Sequence, residues 1–214
     1  MKVFLIGANG QIGQRLVGQF QQNGAHTVRA MVRKPEQKEA LQASGTEAVI
    51  ANLEGSPEEI AAAAKGCDAI VFTAGSGGST GHDKTLLIDL DGAAKAIEAA
   101  EIAGIKRFIM ISALQAHNRE NWNESLKPYY AAKHYADKIL EASGLTYTII
   151  RPGGLLNEAG TGLVSAAADV ERGSISRDDV AAAVIASLDE SNTENQAFDL
   201  TAGETPIAEA LKNL

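Results

Sequence analysis

The chain is short of the residues that staple small folds or build metal centres. One cysteine in 214 residues, Cys67, excludes an internal disulfide and a cysteine-based metal site. Its expected role is packing, in an intracellular, cytoplasmic protein. The four histidines, His26, His82, His117 and His134, share no ligand spacing, so no metal is expected. No apolar run approaches membrane-spanning length, and Val3 to Ile6 is too short for the core of a signal peptide. Aromatic content of 5% does not suggest a large aromatic substrate site. Positive charge is also scarce: the net charge is −8, which argues against nucleic acid as a partner.

What charge there is lies unevenly. Residues 1–34 hold Lys2, Arg15, Arg29, Arg33 and Lys34 and no acid, so residues 35–214 carry −13. A basic start on an acidic body suits a small polyanion bound at the N-terminal unit. The length predicts one domain, 1–214. The first thirteen residues say where the polyanion would sit. An apolar run, Val3 to Ile6, reads as a buried strand. An apolar-periodic segment begins near Gln11 with Ile12, Leu16, Val17 and Phe20. Between them Gly7, Gly10 and Gly13 have the spacing G-x-x-G-x-x-G. Gly7 allows a tight turn, Gly10 lets backbone approach a pyrophosphate, and Gly13 lets the helix pack close to the sheet. The helix N-terminus then faces the phosphates.

The rest alternates. Strands are predicted at His26 to Val32, Glu47 to Ala51, Asp68 to Phe72, Arg107 to Ile111, Thr146 to Ile150 and Ala197 to Leu200. Ser56, Pro57 and Glu59 form a helix start. A long helix is predicted over about Asp83 to Ala103, with Leu86, Leu87, Leu90, Ala93, Ala94, Ile97 and Ala100 as one buried stripe and Gly104 as its stop. Further helices are predicted from about Tyr129 to Ser143 and, capped by Ser176, from Arg177 to Leu188, with a short one at the end. Alternation of this kind predicts a doubly wound parallel sheet with helices on both faces, a Rossmann fold, whose ligands bind at the carboxyl ends of the strands. Arg33 and Lys34 end the second strand about 20 residues past the glycine turn, where an acid would bind the ribose of NAD. A guanidinium there favours the 2′-phosphate of NADP. Small residues after the fourth strand, Thr73, Ala74, Gly75 and Ser76, would let a ribose or nicotinamide lie close. Gly75 to Gly81 reads as a mobile active-site loop or a plain solvent loop.

Tyr129 and Lys133, four apart, share a helix face. A tyrosine can give a proton to a carbonyl oxygen as hydride arrives at carbon. A nearby ammonium favours phenolate and can hold a ribose. Ser112, ending the preceding strand, could bond the same oxygen. The other reading of the pair is a partly buried aromatic with a solvated lysine.

Several stretches together resemble atypical short-chain dehydrogenase/reductases of the NmrA-like branch: Gly7-Ala-Asn-Gly-Gln-Ile-Gly13, Met31-Val-Arg33, Gly104-Ile-Lys-Arg-Phe-Ile-Met-Ile-Ser112, Tyr129-Tyr-Ala-Ala-Lys133 and Ser143-Gly-Leu-Thr-Tyr-Thr-Ile-Ile-Arg-Pro-Gly153. The resemblance implies a single domain binding NADP, with a small substrate-side segment at about 154–176. It implies that Asn9, Gly10, Gln11 and Ile12 contact the pyrophosphate and Arg33 the 2′-phosphate. Asn52 and Leu53 would flank adenine, Thr73, Ala74 and Gly75 would line the ribose, and Pro152 and Gly153 would lie near nicotinamide. Ser112, Tyr129 and Lys133 would be the catalytic set. Two positions depart from the family pattern: Asp89 stands for the usual catalytic asparagine, and Asn52 for a frequent aspartate. Three functions stay open, namely an NADPH-dependent reductase of a small carbonyl compound, a non-catalytic NADP redox sensor, and a sugar-nucleotide epimerase or dehydratase. Substrate contacts would come from His117, Asn118, Trp122, Asn123, Leu155, Leu156 and Asn157, with Trp122 either stacking on a ligand or anchoring its loop. The helices after strands four and five could pair in a homodimer.

Overall fold

The computed structural model describes residues 1–78 and 80–214; Ser79, inside the expected glycine-rich loop, lies outside the described residues. In chain order the elements are β1 (Lys2–Ile6), α1 (Gln11–Asn23), β2 (Thr27–Val32), α2 (Pro35–Ala43), β3 (Glu47–Ile50), α3 (Pro57–Ala64) and β4 (Ala69–Phe72). After them come a single turn α4 (His82–Lys84), a π-helical segment (Thr85–Leu90), α5 (Asp91–Ala103), β5 (Arg107–Ile111), α6 (Lys127–Ala142) and β6 (Thr146–Pro152). The chain ends with β7 (Gly154–Leu156), β8 (Leu163–Ala167), β9 (Ser174–Ser176), α7 (Arg177–Asp189), β10 (Gln196–Ala202), β11 (Thr205–Pro206) and α8 (Ile207–Lys212).

The main sheet runs β11-β8-β10-β6-β5-β4-β1-β2-β3. From β3 to β10 every pairing is parallel; β8 and β11 add an antiparallel edge. This is the Rossmann arrangement, with the strand order reversing beside β1, where such sheets open a crevice. Strand alternation sorts the side chains. Val3 and Leu5 face a layer built on α1 and α7, with Leu16, Phe20, Val184 and Leu188. Phe4 and Ile6 face a layer built on α3, α5 and α6, with Ile60, Ala96, Ala100, Ala136 and Leu140.

Local signals explain the boundaries. Gly24 ends α1 in the left-handed region, φ 67°, and its N–H donates to Phe20 O. Ser56 and Glu59 close the expected capping box on α3. Ser176 Oγ accepts from Asp178 N at the start of α7.

Two expectations are corrected. The predicted helix from Asp83 to Ala103 is broken by the π-helical turn, in which Asp91 N–H reaches both Leu86 O and Leu87 O. The extra residue per turn rotates the segment, so Thr85 and Asp89 turn inward. Leu86 and Leu87, placed in the buried stripe from the sequence, are 57% and 39% exposed. The stretch after Gly153, where no strand was predicted, forms β7, β8 and β9, and β7 pairs with β9. These strands are three to five residues long and rich in glycine, alanine and serine, so their alternation is hard to see.

Among the described residues no helix is long and apolar enough to cross a membrane. Cys67 is 8% exposed, and burial pushes its thiol up. Native protein should therefore resist iodoacetamide under conditions that label the unfolded chain fully. Equal labelling rates by mass spectrometry would contradict this placement.

Candidate functional site

β1 runs directly into the glycine turn. Gly7 has φ +94°, and a Cβ there would stand 2.6 Å from Ala74 N and 2.8 Å from the Thr73 carbonyl carbon. Gly10 N–H donates to Gly7 O at 2.9 Å. A Cβ on Gly13 would overlap Gly7 O and stand 2.7 Å from Ala8 Cα, so α1 packs against the turn only because this residue has none. Gly10 is the N-cap of α1, no side chain caps it, and the first turn holds no acid. Backbone N–H groups at Gln11 and Ile12 thus begin a helix without an anionic side chain of its own, the arrangement that suits a bound pyrophosphate. Asn9 and Gln11 are exposed at its rim, and Ile12 is buried beneath.

Arg33 and Lys34 are exposed at the tip of β2. Their backbone N–H groups both donate to Gln37 Oε1 at 3.2 Å, which fixes the turn into α2. Lys34 Nζ lies 3.9 Å from Glu36. The Arg33 guanidinium makes no hydrogen bond or ion pair among the described residues. Its charge is felt at Glu54, whose carboxyl is held below the usual range first by Lys84 and in part by Arg33. At the tip of β3, Asn52 Oδ1 accepts from Glu54 N at 3.1 Å. Leu53, in contrast, is 6% exposed and packs under Gly92, so it belongs to the core as much as to the rim.

At the tip of β4, Thr73 Oγ1 donates to Ile6 O at 3.1 Å. Ala74 and Gly75 follow, and a Cβ on Gly75 would stand 3.1 Å from Asp89 Oδ1. Ser76 N–H donates to Asp89 Oδ2 at 3.0 Å. The π-helical turn therefore aims its buried carboxylate at the loop after β4. On the other side Asp89 Oδ1 lies 3.9 Å from Lys133 Nζ, which donates to Ile111 O at 2.8 Å. Asp89 and Lys133 are 1% and 3% exposed, and burial pulls the Lys133 ammonium down while Asp89 and Asp137 oppose it. Tyr129, one turn earlier on α6, is felt by the same carboxylate. Its phenol is pushed well above the ordinary tyrosine range, first by burial and then by the charge of Asp89. This is the opposite of the direction expected from Lys133 on sequence, because burial of the phenol, and after it the charge of Asp89, sets the shift. Tyr129, Lys133, Asp89 and Gly75 thus share one place.

Ser112 does not join them through a hydrogen bond. Continuing the alternation of Phe108 and Met110, it points under α6. Its Oγ is wholly enclosed, without a hydrogen-bond partner of normal length among the described residues, and faces Asp137. Asp137 lies eight residues along α6 from Tyr129, about 12 Å of helix rise. There Arg151 Nε donates to Asp137 Oδ2 at 2.9 Å, with Glu141 3.6 Å from the same guanidinium. Burial pushes the Asp137 carboxyl up and Arg151 opposes it. Such a pair locks β6 to α6, since stranding either buried charge costs about 3–5 kcal/mol.

Pro152 O accepts from Leu114 N at 3.0 Å, and Gly153 N donates to Leu200 O at 2.9 Å. A Cβ on Gly153 would overlap Gly173 O, so this glycine lets the returning chain before β9 pass close. The loop after β5 is anchored rather than open. Trp122 stacks on Tyr130 with ring centroids 6.1 Å apart, and its Nε1 donates to Ala116 O at 3.2 Å. Of the two roles considered for Trp122, the structure has the anchor. Asn118 and Asn123 cap short turns through Glu120 N and Ser125 N. Asn157 Oδ1 accepts from Arg177. Leu155 is half-buried and Leu156 exposed beside it.

Sequence reasoning missed a further set. Gln115, 3% exposed, adopts φ +63°, which is uncommon for a residue with a side chain. Its Nε2 donates to Asp199, to Asp169 and to Val170 O, and its Oε1 accepts from Asn121. Gln115 thereby ties the loop after β5 to β10 and to the chain between β8 and β9. The available signal was a charged residue inside an apolar strand, in Phe198-Asp-Leu200 and Ile150-Arg-Pro152.

Comparison with known proteins agrees with this geometry. A protein-family model described as NAD(P)H-binding matches residues 7–191. The chain is 84% identical over its full length, and over the full length of the relative, to a Bacillus subtilis protein described as the uncharacterized sugar epimerase YhfK. Among solved structures, the oxidoreductase ylbE of Lactococcus lactis superposes with a TM-score of 0.92 at 36% identity, covering 100% of this chain and 96% of that one. ChuY of Escherichia coli O157:H7, described as an anaerobillin reductase, superposes with a TM-score of 0.81 at 26% identity, covering 94% and 97%. With a glycine cradle after β1, a mostly parallel sheet and a model match over most of its length, the chain belongs to the NAD(P)H-binding family, of the NmrA-like, atypical short-chain dehydrogenase/reductase kind.

Proposed function

We propose that the protein is an NADPH-dependent reductase of a small carbonyl compound. The observation that carries this reading is the group of half-buried Tyr129 with buried Lys133 and Asp89 beside the loop after β4, at the same carboxyl end of the sheet as the glycine cradle. Gly7, Asn9, Gly10, Gln11, Ile12 and Gly13 hold the pyrophosphate. Arg33, with Lys34 beside it, meets the 2′-phosphate. Asn52 and Leu53 flank adenine, and Thr73, Ala74 and Gly75 line the ribose. Pro152 and Gly153 border the nicotinamide. Bound NADPH supplies the hydride. Tyr129 holds the proton that the substrate oxygen takes up, and Lys133 positions the ribose. Ser112, turned toward Asp137, supports the floor of the site and is the weakest member of the expected set.

The epimerase reading has two supports, the descriptions of the Bacillus subtilis relative and of a Bacillus halodurans protein of known structure as a putative NAD-dependent epimerase/dehydratase. An epimerase must first take a proton from a hydroxyl, which calls for phenolate. Burial and Asp89 keep the Tyr129 phenol protonated, the form that gives a proton to a carbonyl oxygen, and leave little phenolate to take one from a hydroxyl.

Calorimetry tests the cofactor half. Wild-type protein should bind NADPH more tightly than NADH. Arg33→Ala should weaken NADPH about 10- to 100-fold, the loss of about 1.5–3 kcal/mol of charge-assisted bonding, with little change for NADH. Equal losses for both would remove Arg33 from the 2′-phosphate, and no heat with either would end the reading. Loss of reduced-nicotinamide absorbance with a panel of aldehydes and ketones tests the other half.

A further inference from the structure

Asp199 is wholly buried in β10, on the face opposite to Phe198 and Leu200. Its register partner on β6 is Arg151, but that guanidinium already serves Asp137 and Glu141. Other groups must meet the Asp199 carboxylate. Gln115 donates to Oδ1 through its backbone N–H at 3.4 Å and to Oδ2 through Nε2 at 2.9 Å; Val170 N–H donates to Oδ2 at 3.3 Å. The remaining neighbour is His117, with Nδ1 3.9 Å from Oδ1. This nitrogen is wholly enclosed and lacks a hydrogen-bond partner among the described residues, while 29% of the side-chain surface stays exposed.

An enclosed nitrogen without a partner costs about 1–3 kcal/mol. A carboxylate can only accept, so the group facing Nδ1 selects the tautomer with its proton there. Nε2 is then left bare, on a ring whose remaining edge reaches the surface. The gap to Asp199 is one that a bound substrate can close, since contacts of this kind are often long without ligand. The placement fits a substrate group. His117 ends the stretch that leaves β5 at Ser112, and Ala113 and Ala116 of that stretch pack with Tyr129 and Tyr130. The left-handed Gln115 fixes the direction in which His117 leaves the loop, a strain of the sort that persists where geometry matters.

We propose that His117, with its tautomer set by Asp199 and its backbone aimed by Gln115, is a substrate-positioning group whose Nε2 accepts a hydrogen bond from a hydroxyl carried beside the reacting carbonyl. The substrate class is then the hydroxyketones and hydroxyaldehydes rather than simple carbonyls. This rests on the reductase reading above, but the His117–Asp199 pair is testable without it.

Protein labelled with nitrogen isotope in histidine, studied at about pH 8, above the ordinary imidazole range, reports the tautomer directly by nitrogen–proton correlation. Loss of one signal in His117→Phe assigns the residue. Wild-type His117 should carry its proton on Nδ1. In Asp199→Asn the amide nitrogen takes the place of Oδ1, because Oδ2 has the two better donors. It then offers His117 a donor, and the proton should move to Nε2. A wild-type Nε2–H form, or no change in Asp199→Asn, overturns the pair. In the NADPH assay acetoin should be turned over in preference to butanone. His117→Phe should lose about tenfold more on acetoin than on butanone, chiefly in KM, the loss expected of one hydrogen bond. No turnover of acetoin, or equal losses on the two ketones, overturns the substrate class. Failure of the wild-type protein to bind NADPH counts against the reductase reading alone, since the spectra need no cofactor.

Discussion

Replacing Tyr129 with phenylalanine should lower turnover about 100- to 10,000-fold, the usual worth of a positioned general acid, and leave NADPH affinity nearly unchanged. The ring stays, so its packing beside Tyr130 stays. Only the proton is lost. An effect on KM for cofactor equal to that on kcat would point to a structural tyrosine instead. The raised phenol adds a pH signature. An acid whose group ionises above its ordinary value of about 10 remains protonated through the neutral and mildly alkaline range, so Tyr129 gives kcat no falling limb there. Stability follows the same sign. The folded-state value lies above the unfolded one, so the contribution of Tyr129 is complete below about pH 10 and is lost as pH rises toward the folded value. Tyr129→Phe should therefore unfold at higher alkaline pH than wild type. The reverse order would mean that the phenol is not buried as described.

Gly13→Ala should be strongly damaging for so small a substitution. Its Cβ overlaps Gly7 O and the Ala8 backbone, which cannot swing away as a side-chain end could. The helix must retreat from the turn, at about 1–3 kcal/mol for overpacking. The pyrophosphate cradle opens with it, so NADPH binding should fall by more than tenfold. Gly18→Ala is the control. It lies in the same helix with nothing within 4 Å of its Cβ, and should gain up to about 1 kcal/mol from helix propensity. Thermal unfolding and calorimetry on the two variants separate backbone crowding from a general intolerance of α1. Equal behaviour would sink the close-packing account.

The parts of the fold that were legible are those written locally. The glycine spacing, the apolar stripe of α1, and the caps at Ser56, Glu59 and Ser176 each act within four residues of chain. They predicted the elements and the glycine turn at the carboxyl end of β1. The parts that were not legible depend on partners far away. Whether Ser112 meets Tyr129 or Asp137 depends on strand parity and on where α6 crosses β5, neither of which a motif states. The anchoring of Trp122 needs Tyr130 and Ala116 O. The antiparallel edge of β8 and β11 needs β10 and a turn through Gly203, whose Cβ would stand 2.5 Å from Ser165 N. The close-packed glycines of the turn after β1 were readable because that turn imposes its own spacing. The substrate side imposes no spacing shared across substrates, and Gln115 and Asp199 went unread.

The six residues from Thr85 to Leu90 separate two demands that an unbroken helix would have to satisfy together. The seam of α5 against α3 is set by alanines spaced along α5, and the reach of Asp89 toward Lys133 is set by the turn before it. In a regular α-helix one phase angle governs both. The surplus residue is a phase step of about 100° between them. Deleting Leu90 would leave the α3 seam in register and swing the Asp89 carboxylate round to solvent. The turn works as a splice, so the chemistry of the pocket and the packing of the domain are free to vary one without the other.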